Sequence, residues 1–343
     1  MSALRCPRCG AGYDSPARFC TRDGFALVPA EPSPPSSSRG FDLHRTGERR
    51  IPAARRGDPA SGLSGRILDG RFELETRVGE GGMAYVYRAR DRETGRTVAI
   101  KVLMARHARD REAVARLHRE AEVAMRLDHP NVCGVLAWGE ASGLPFLVMP
   151  FLDGETLSRR ESRRGPMPPA EALPLLIQLC RGLQHAHEAG VLHRDLKPEN
   201  VMLVPGGKGG EMAVVMDFGL ARGNVAGPEL VKLTATGIVL GTPEFMSPEQ
   251  IRGRPLDGRS DIFGLGVLAF ELLTGRLPFK GATALETMLA HLTGRPLRLR
   301  QARKELSQAL EAVIARSIAQ EPEERFQSMR EFGEALEGVN SQQ

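Results

Sequence analysis

Eight consecutive residues, His193-Arg194-Asp195-Leu196-Lys197-Pro198-Glu199-Asn200, bring a carboxylate, an ammonium and an amide into one short window. A second carboxylate follows in Asp217-Phe218-Gly219. These residue types suit one task, holding a metal-bound triphosphate beside a hydroxyl. Asp195 accepts the proton of an attacking hydroxyl, and Lys197 neutralises charge on the group in transit. Asn200 and Asp217 offer hard oxygen ligands of the kind Mg²⁺ prefers. The plainer account is a polar turn between strands with an unrelated turn at Asp217. Eight positions in one order, followed by the second motif, argue against it.

The two motifs resemble those of the eukaryotic-like (Hanks-type) Ser/Thr protein kinases of bacteria, and the resemblance runs from about Ile67 to Leu336. It implies an α+β fold of two lobes, a small β-rich one and a larger helical one. It also implies ATP and Mg²⁺, with Mn²⁺ as an alternative ion. Lys197 favours Ser/Thr over Tyr as acceptor, because the similar tyrosine kinases carry a different sequence there.

The elements that must position these groups are legible on either side. Gly79-Glu80-Gly81-Gly82-Met83-Ala84-Tyr85-Val86 matches the kinase glycine-rich loop at its first two glycines and at Val86. Such a loop lets backbone N–H groups approach phosphates, which needs residues without bulk. Ala84 departs from the pattern by one methyl. Val98-Ala99-Ile100-Lys101 stands where the third strand is expected. The resemblance gives Lys101 the α- and β-phosphates and a glutamate partner on a helix. Val114, Leu117, Ala121, Ala124 and Met125 recur at helical spacing, and Glu120 beside that stripe is the expected partner, ahead of Glu112 and Glu122. Val135 to Trp138 and Phe146 to Met149 read as a hairpin around Ser142-Gly143, with Trp138 as a packing residue. Met149 matches the gatekeeper and Pro150 to Leu152 the hinge. Pro150 replaces the usual acidic residue, loses an N–H and keeps a carbonyl for adenine. The implied ATP set is Val78, Gly79, Glu80, Gly81, Gly82, Met83, Ala84, Val86, Ala99, Lys101, Met149, Pro150 and Leu152.

In the second half, Pro168 to Ala189 reads as a long buried helix whose first turn Pro174 makes irregular. His185 and His187 are two apart, so they diverge and make a poor metal pair. Ile262 to Thr274 reads as a buried helix, with Asp261 anchoring the catalytic loop from below. Gly241-Thr242-Pro243-Glu244-Phe245-Met246-Ser247-Pro248-Glu249 fits the substrate-docking end of the activation segment. Thr242 matches the threonine that hydrogen-bonds near the catalytic Asp and Lys. Thr234 and Thr236 stand at the spacing of activating phosphothreonines, Thr236 ahead of Thr234, with Arg194 as the cation for such a phosphate. Glu249 and Arg325 match a pair that ties this segment to the last helices.

The N-terminal stretch has different chemistry. Cys6-Pro-Arg-Cys9-Gly and Cys20-Thr-Arg-Asp23-Gly look like the two knuckles of a zinc ribbon. Cys6, Cys9, Cys20 and Asp23 would hold Zn²⁺, the aspartate standing where a fourth cysteine is usual. The other account is a reduced Cys-x-x-Cys pair in a disordered tail. The expected division is a zinc-ribbon-like module over 1–27, a disordered Pro/Ser/Arg-rich linker over 28–65 and a kinase domain over 66–338. Of the 5 cysteines, Cys133 and Cys180 sit among apolar neighbours as small core residues.

The 343 residues are 41% hydrophobic and 26% charged, with 47 Lys and Arg against 42 Asp and Glu. A net charge of +5 does not by itself call for nucleic acid. The sequence shows neither a charge-free apolar stretch of spanning length nor a signal peptide, so a soluble cytoplasmic chain is expected. The partners implied are proteins bearing Ser or Thr, a transient second copy for trans-autophosphorylation, and a partner of the ribbon. Two rivals stay open: a pseudokinase scaffold that binds nucleotide without turnover, and a ribbon adaptor in which kinase activity is secondary.

Overall fold

The computed structural model describes residues 4–5, 12–13, 28–29, 58–206, 210–218 and 243–341. The chain divides into two units, 1–54 and 55–343. In the first, β1 (Leu4–Arg5) lies between β2 (Gly12–Tyr13) and β3 (Val28–Pro29), and both pairings are antiparallel. Cys6, Cys9, Cys20 and Asp23 lie outside the described residues, as do Thr234, Thr236 and Thr242.

The second unit opens on a 3₁₀ turn, Pro59–Gly62. Asp58 caps it by accepting from the Ala60 N–H, and also accepts from the N–H of Ala105 at 3.2 Å. Six antiparallel strands follow: β4 (Ile67–Leu68), β5 (Phe72–Glu80), β6 (Ala84–Asp91), β7 (Thr97–Leu103), β8 (Ala137–Ala141) and β9 (Leu144–Pro150). Their spatial order is β4-β5-β6-β7-β9-β8. Period-two alternation places Leu74, Tyr87, Ile100 and Phe146 in one core on this sheet. The short α1 (Ala105–Ala108) and the longer α2 (Arg111–Ala124) cross after β7. Leu117, Ala121 and Ala124 of α2 pack against Leu103, Val135, Leu147 and Met149.

Two expectations change here. Met125 is not on the apolar stripe, because α2 ends at Ala124 and Met125 is 45% exposed. The hairpin strand begins at Ala137 rather than Val135. Ser142 and Gly143, with φ of 53° and 73°, make its two-residue turn, the left-handed pair that matches strand twist. Trp138 lies on the edge strand β8, half exposed, its ring standing edge-on to His118 with centroids 3.7 Å apart.

The larger lobe starts with a small sheet of β10 (Glu155–Thr156), β11 (Val201–Pro205) and β12 (Glu211–Val215). Gly154 is required just before it, since a Cβ there would stand 2.1 Å from the Leu203 carbonyl oxygen. Helices α3 (Leu157–Arg164) and α4 (Pro169–Glu188) lead to the catalytic loop. Then come α5 (Pro248–Arg252), α6 (Gly258–Thr274), α7 (Ala284–Thr293), α8 (Leu299–Ala302), α9 (Gln308–Ser317) and α10 (Met329–Asn340). Pro174 sits inside α4 without ending it. The apolar run Ile262 to Phe270 is buried throughout, so α6 is the central post of this lobe. Cys180 is buried in the same core, and Cys133 packs partly buried beside the small-lobe helix.

Arg325 is fully buried and donates to both oxygens of Glu249, at 2.7 and 2.9 Å. Its other N–H groups go to the carbonyls of Ala319, Gln320 and Arg259. Every donor is satisfied, so the pair's desolvation is offset only while both partners remain. Arg325→Ala is therefore expected to cost about 3–5 kcal/mol of unfolding free energy, read by urea denaturation; a loss under about 1 kcal/mol would mean the pair is peripheral.

Candidate active site

The loop from His193 to Asn200 is held by one buried carboxylate. Asp261, in the first turn of α6, accepts the N–H of His193 at 2.9 Å and of Arg194 at 2.8 Å. It also lies 2.7 Å from His187 Nε2, so His187 serves as its orienting partner, a role its spacing alone did not reveal. Burial works against the charge of Asp261, but these donors outweigh it and keep its carboxyl below the usual range. Arg194 sits at φ 63°, a left-handed conformation that L residues avoid.

His193 completes the brace. Its Nε2 lies 2.8 Å from the Met216 carbonyl, which can only accept, so Nε2 carries the proton. Its Nδ1 accepts the N–H of Asp195. Burial lowers the pKa of this ring and favours that neutral form. The Phe218 ring packs against it with centroids 5.0 Å apart. One imidazole thus ties the His193–Asn200 loop to the Asp217 turn.

The reactive groups then fall together. Lys197 Nζ stands 3.2 Å from Asp195 Oδ2. Asn200 Nδ2 donates to the Asp195 carbonyl at 2.8 Å, with Asp195 Oδ2 at 3.4 Å. Met216 N–H donates to the Asn200 carbonyl at 2.8 Å, which places Asn200 beside Asp217. Lys101 reaches Asp217 Oδ1 at 2.7 Å. Burial would raise the Asp217 pKa, but the ammonium of Lys101 outweighs it and the carboxyl stays low. Among the described residues Lys101 is paired with Asp217. Glu120 lies on α2, and its side chain is outside the described residues.

Strand register builds the roof. Val86 pairs with Lys101 across β6 and β7, and Ala99 with Met149 across β7 and β9. Val98 pairs with Pro150, where β9 ends, and Phe151 and Leu152 follow in the crossing to the larger lobe. Val78, Gly79 and Glu80 close β5, and Gly81, Gly82 and Met83 form the turn into β6. Gly81 N–H donates to the Ala84 carbonyl at 2.9 Å. Ala84 is buried at 3% exposure, so its methyl does not stand on the open face of the loop.

The donor set fits a hard divalent ion: one carboxylate, one amide oxygen, and an amide N–H end already taken by Asp195. Among the described residues no cluster of three or more His, Cys, Asp or Glu could hold a metal on protein ligands alone. An ion shared with substrate phosphates needs none. Gln250, which was not singled out in the sequence, donates to the Arg194 carbonyl at 2.8 Å and links α5 to this loop.

Comparison with known proteins agrees with the geometry. A family model described as a protein kinase domain matches residues 72–335. The chain is 38% identical over 281 residues to Serine/threonine-protein kinase pkn3 of Myxococcus xanthus, covering 81% of this chain and 51% of that one. It is 39% identical over 280 residues to Serine/threonine-protein kinase PknB of Mycobacterium leprae, covering 80% and 44%. The chain thus spans about half the length of these curated relatives. The crystal structure of the Mycobacterium tuberculosis PknI kinase domain superposes with a TM-score of 0.64 at 29% identity, covering 80% of this chain and 98% of that one.

Two carboxylates near the loop have a measurable consequence. Glu161 Oε1 and Glu271 Oε2 are buried without a hydrogen-bond partner among the described residues. Burial, with repulsion from Glu271 and Glu199, pushes Glu161 up to about 8. Burial and neighbouring glutamates push Glu271 to about 7. A carboxyl whose pKa rises on folding adds stability at low pH and loses it as pH climbs through the raised value. The melting temperature of Glu161→Gln should match wild type near pH 5 and exceed it at pH 9; equal melting at both would show that this carboxylate is solvated.

Proposed function

Because the chain belongs to the protein kinase family, we propose that it transfers the γ-phosphoryl group of ATP to Ser and Thr hydroxyls of proteins. The observation that carries this reading is that Lys197 and Asn200 gather on Asp195, that Lys101 meets Asp217, and that the Met216 N–H bond to the Asn200 carbonyl joins the two sets. Asp195 orients the incoming hydroxyl and takes its proton. Lys197, 3.2 Å from that carboxylate, meets the transferred group's oxygens. Lys101 turns from Asp217 to the α- and β-phosphates when nucleotide enters, with Glu120 as the carboxylate that receives it in that state. Asn200 and Asp217 hold the divalent ion, which when bound neutralises phosphate charge and fixes the phosphate chain. Positioning and charge neutralisation supply most of the catalysis.

The same reading extends to control. Arg194 Nε is buried and has no hydrogen-bond partner among the described residues, which supports a role in receiving a phosphate on Thr236 or Thr234. Self-phosphorylation there, through a transient second copy, would order the segment leading to Thr242 and the docking residues. The divisions at 1–27, 28–65 and 66–338 belong to this proposal, with Zn²⁺ on Cys6, Cys9, Cys20 and Asp23; the linker boundary moves back to Asp58, because the Pro59–Gly62 turn puts Ala60 and Leu63 in the small-lobe core. What supports zinc is the ligand set and the pairing of β1 with β2 and β3, strands that flank both half-motifs in the sequence. No helix among the described residues is long and apolar enough to cross a membrane.

Asp195→Asn should lower phosphate transfer to a generic basic protein by about 10²–10⁴-fold, the range lost with a general base. ATP binding by fluorescence titration should hold within about threefold, about 0.7 kcal/mol. Transfer absent in both proteins would leave a nucleotide-binding scaffold instead, and equal transfer in both would remove Asp195 as the base. Mass spectrometry of the same wild-type reaction should place phosphate on Thr236. Metal analysis should find about one zinc per chain, by the structural-site rule, and a loss of zinc in Cys20→Ser.

A further inference from the structure

The docking segment is held from below by a histidine that the transfer chemistry does not use. His291, on α7, is fully buried. Its Nδ1 lies 2.7 Å from the Met246 carbonyl oxygen. A carbonyl oxygen only accepts, so Nδ1 carries the proton and donates. The ring packs against Phe279 and Phe263, with centroid separations of 4.7 and 5.5 Å. Burial pushes its pKa down to about 4, so the ring is neutral and Nε2 keeps its lone pair. Nε2 has no hydrogen-bond partner among the described residues.

An unpartnered buried nitrogen works against folding. An apolar side chain of similar size would fill the same space without that burden. What the imidazole adds is the Nδ1–H bond to Met246. That carbonyl precedes the Ser247 cap of α5, so it lies in the stretch that runs from the 3₁₀ turn Pro243–Phe245 to the helix. Met246 is itself buried and packs on Met288 of α7 and on Ile251. The next turn is fixed from other directions, by Gln250 on the Arg194 carbonyl and by Glu249 on Arg325. Beside the packing of Met288 on Met246, the His291 bond is a hydrogen bond by which α7 holds a backbone carbonyl of the 243–247 stretch.

We propose that His291 is a substrate-positioning residue, whose Nδ1–H fixes the Met246 carbonyl and with it the ledge on which the protein substrate rests. This rests on the kinase reading above, in which residues 241–249 form the docking end. The side chain touches neither nucleotide nor the reacting hydroxyl, so its effect belongs in substrate KM.

Two variants separate this from a packing role. His291→Leu fills the pocket without a donor, whereas His291→Asn keeps an N–H close to the Nδ1 position. With phosphorylated basic protein as readout, His291→Leu should raise the protein-substrate KM about tenfold, the scale of one lost buried hydrogen bond. Its kcat and its KM for ATP should stay within about twofold. His291→Asn should return the protein-substrate KM to within about threefold of wild type. A wild-type KM in the leucine variant, or equal losses in both variants, would overturn the proposal. Hydrogen exchange over residues 243–252 decides the contact without activity: faster exchange in the leucine variant alone supports it, and unchanged exchange overturns it. If the wild-type chain transfers no phosphate, the kinase reading fails, while the exchange result still stands or falls on the His291 bond.

Discussion

The catalytic loop depends on the carboxylate of Asp261. Arg194 is held at φ 63° and Asp217 at φ 57°, conformations that cost about 1–3 kcal/mol each outside glycine. Aspartate tolerates the left-handed region better than arginine does, so the harder case is Arg194. Its N–H and that of His193 point at one buried acceptor. An ionised acceptor makes each such bond worth roughly 1.5–3 kcal/mol, enough to outweigh the strain. The carboxylate is carried by α6, which is buried along nearly its whole length, so the acceptor cannot follow the loop if the loop relaxes. The fold thus spends its most rigid element on one turn of backbone, and that turn aims Asp195.

From that turn the site's carboxylates are each met by a cation or an amide among the described residues. Asp195 has Lys197 and the Asn200 amide, and Asp217 has Lys101. Burial alone would push the Asp217 carboxyl toward its neutral form. Paired, Asp217 keeps its charge despite burial. The Lys101–Asp217 contact lies where phosphate and metal would compete for both ends. Under the proposed function, it is a resting pairing that substrate would exchange for its own charges. The neutral His193 ring performs the opposite service, since a charge there would repel the cations that the site collects.

Most of the large pattern was legible in the sequence, for a physical reason. Asp195, Lys197, Asn200 and Asp217 are close because they are near in sequence and a short hairpin joins them. The β-alternation around Lys101 and the apolar run of α6 are period signals that local sequence carries directly. Residues whose meaning depends on a distant partner were harder to read. Trp138 was read as packing, and its ring does meet His118, but the place of its strand at the sheet edge leaves it half exposed. Met125 continued a helical stripe that the chain itself stops at Ala124. His187 looked like half of a poor metal pair, and only the folded contact with Asp261 shows it as an orienting group. Gln250 and His291 carry no local signal at all, since each acts on a backbone carbonyl that packing brings to it.

The anchors beneath the docking segment differ in kind, and the difference separates folding from positioning. The Glu249–Arg325 pair is desolvated and fully bonded, with Ser260 adding a hydroxyl to the same carboxylate. Losing one partner strands a charge in the core, so this pair decides whether α5 and the last helices stay joined. The Gln250 and His291 contacts are neutral donors to carbonyls, each worth about 1 kcal/mol. Energies of that size cannot hold a domain together, but they can choose between backbone positions a few tenths of an ångström apart. The ion pair fixes that the segment is present, and the two neutral bonds fix where it lies relative to Asp195. On the proposed function, a change in either neutral bond would alter how substrate meets the site while leaving the scaffold intact.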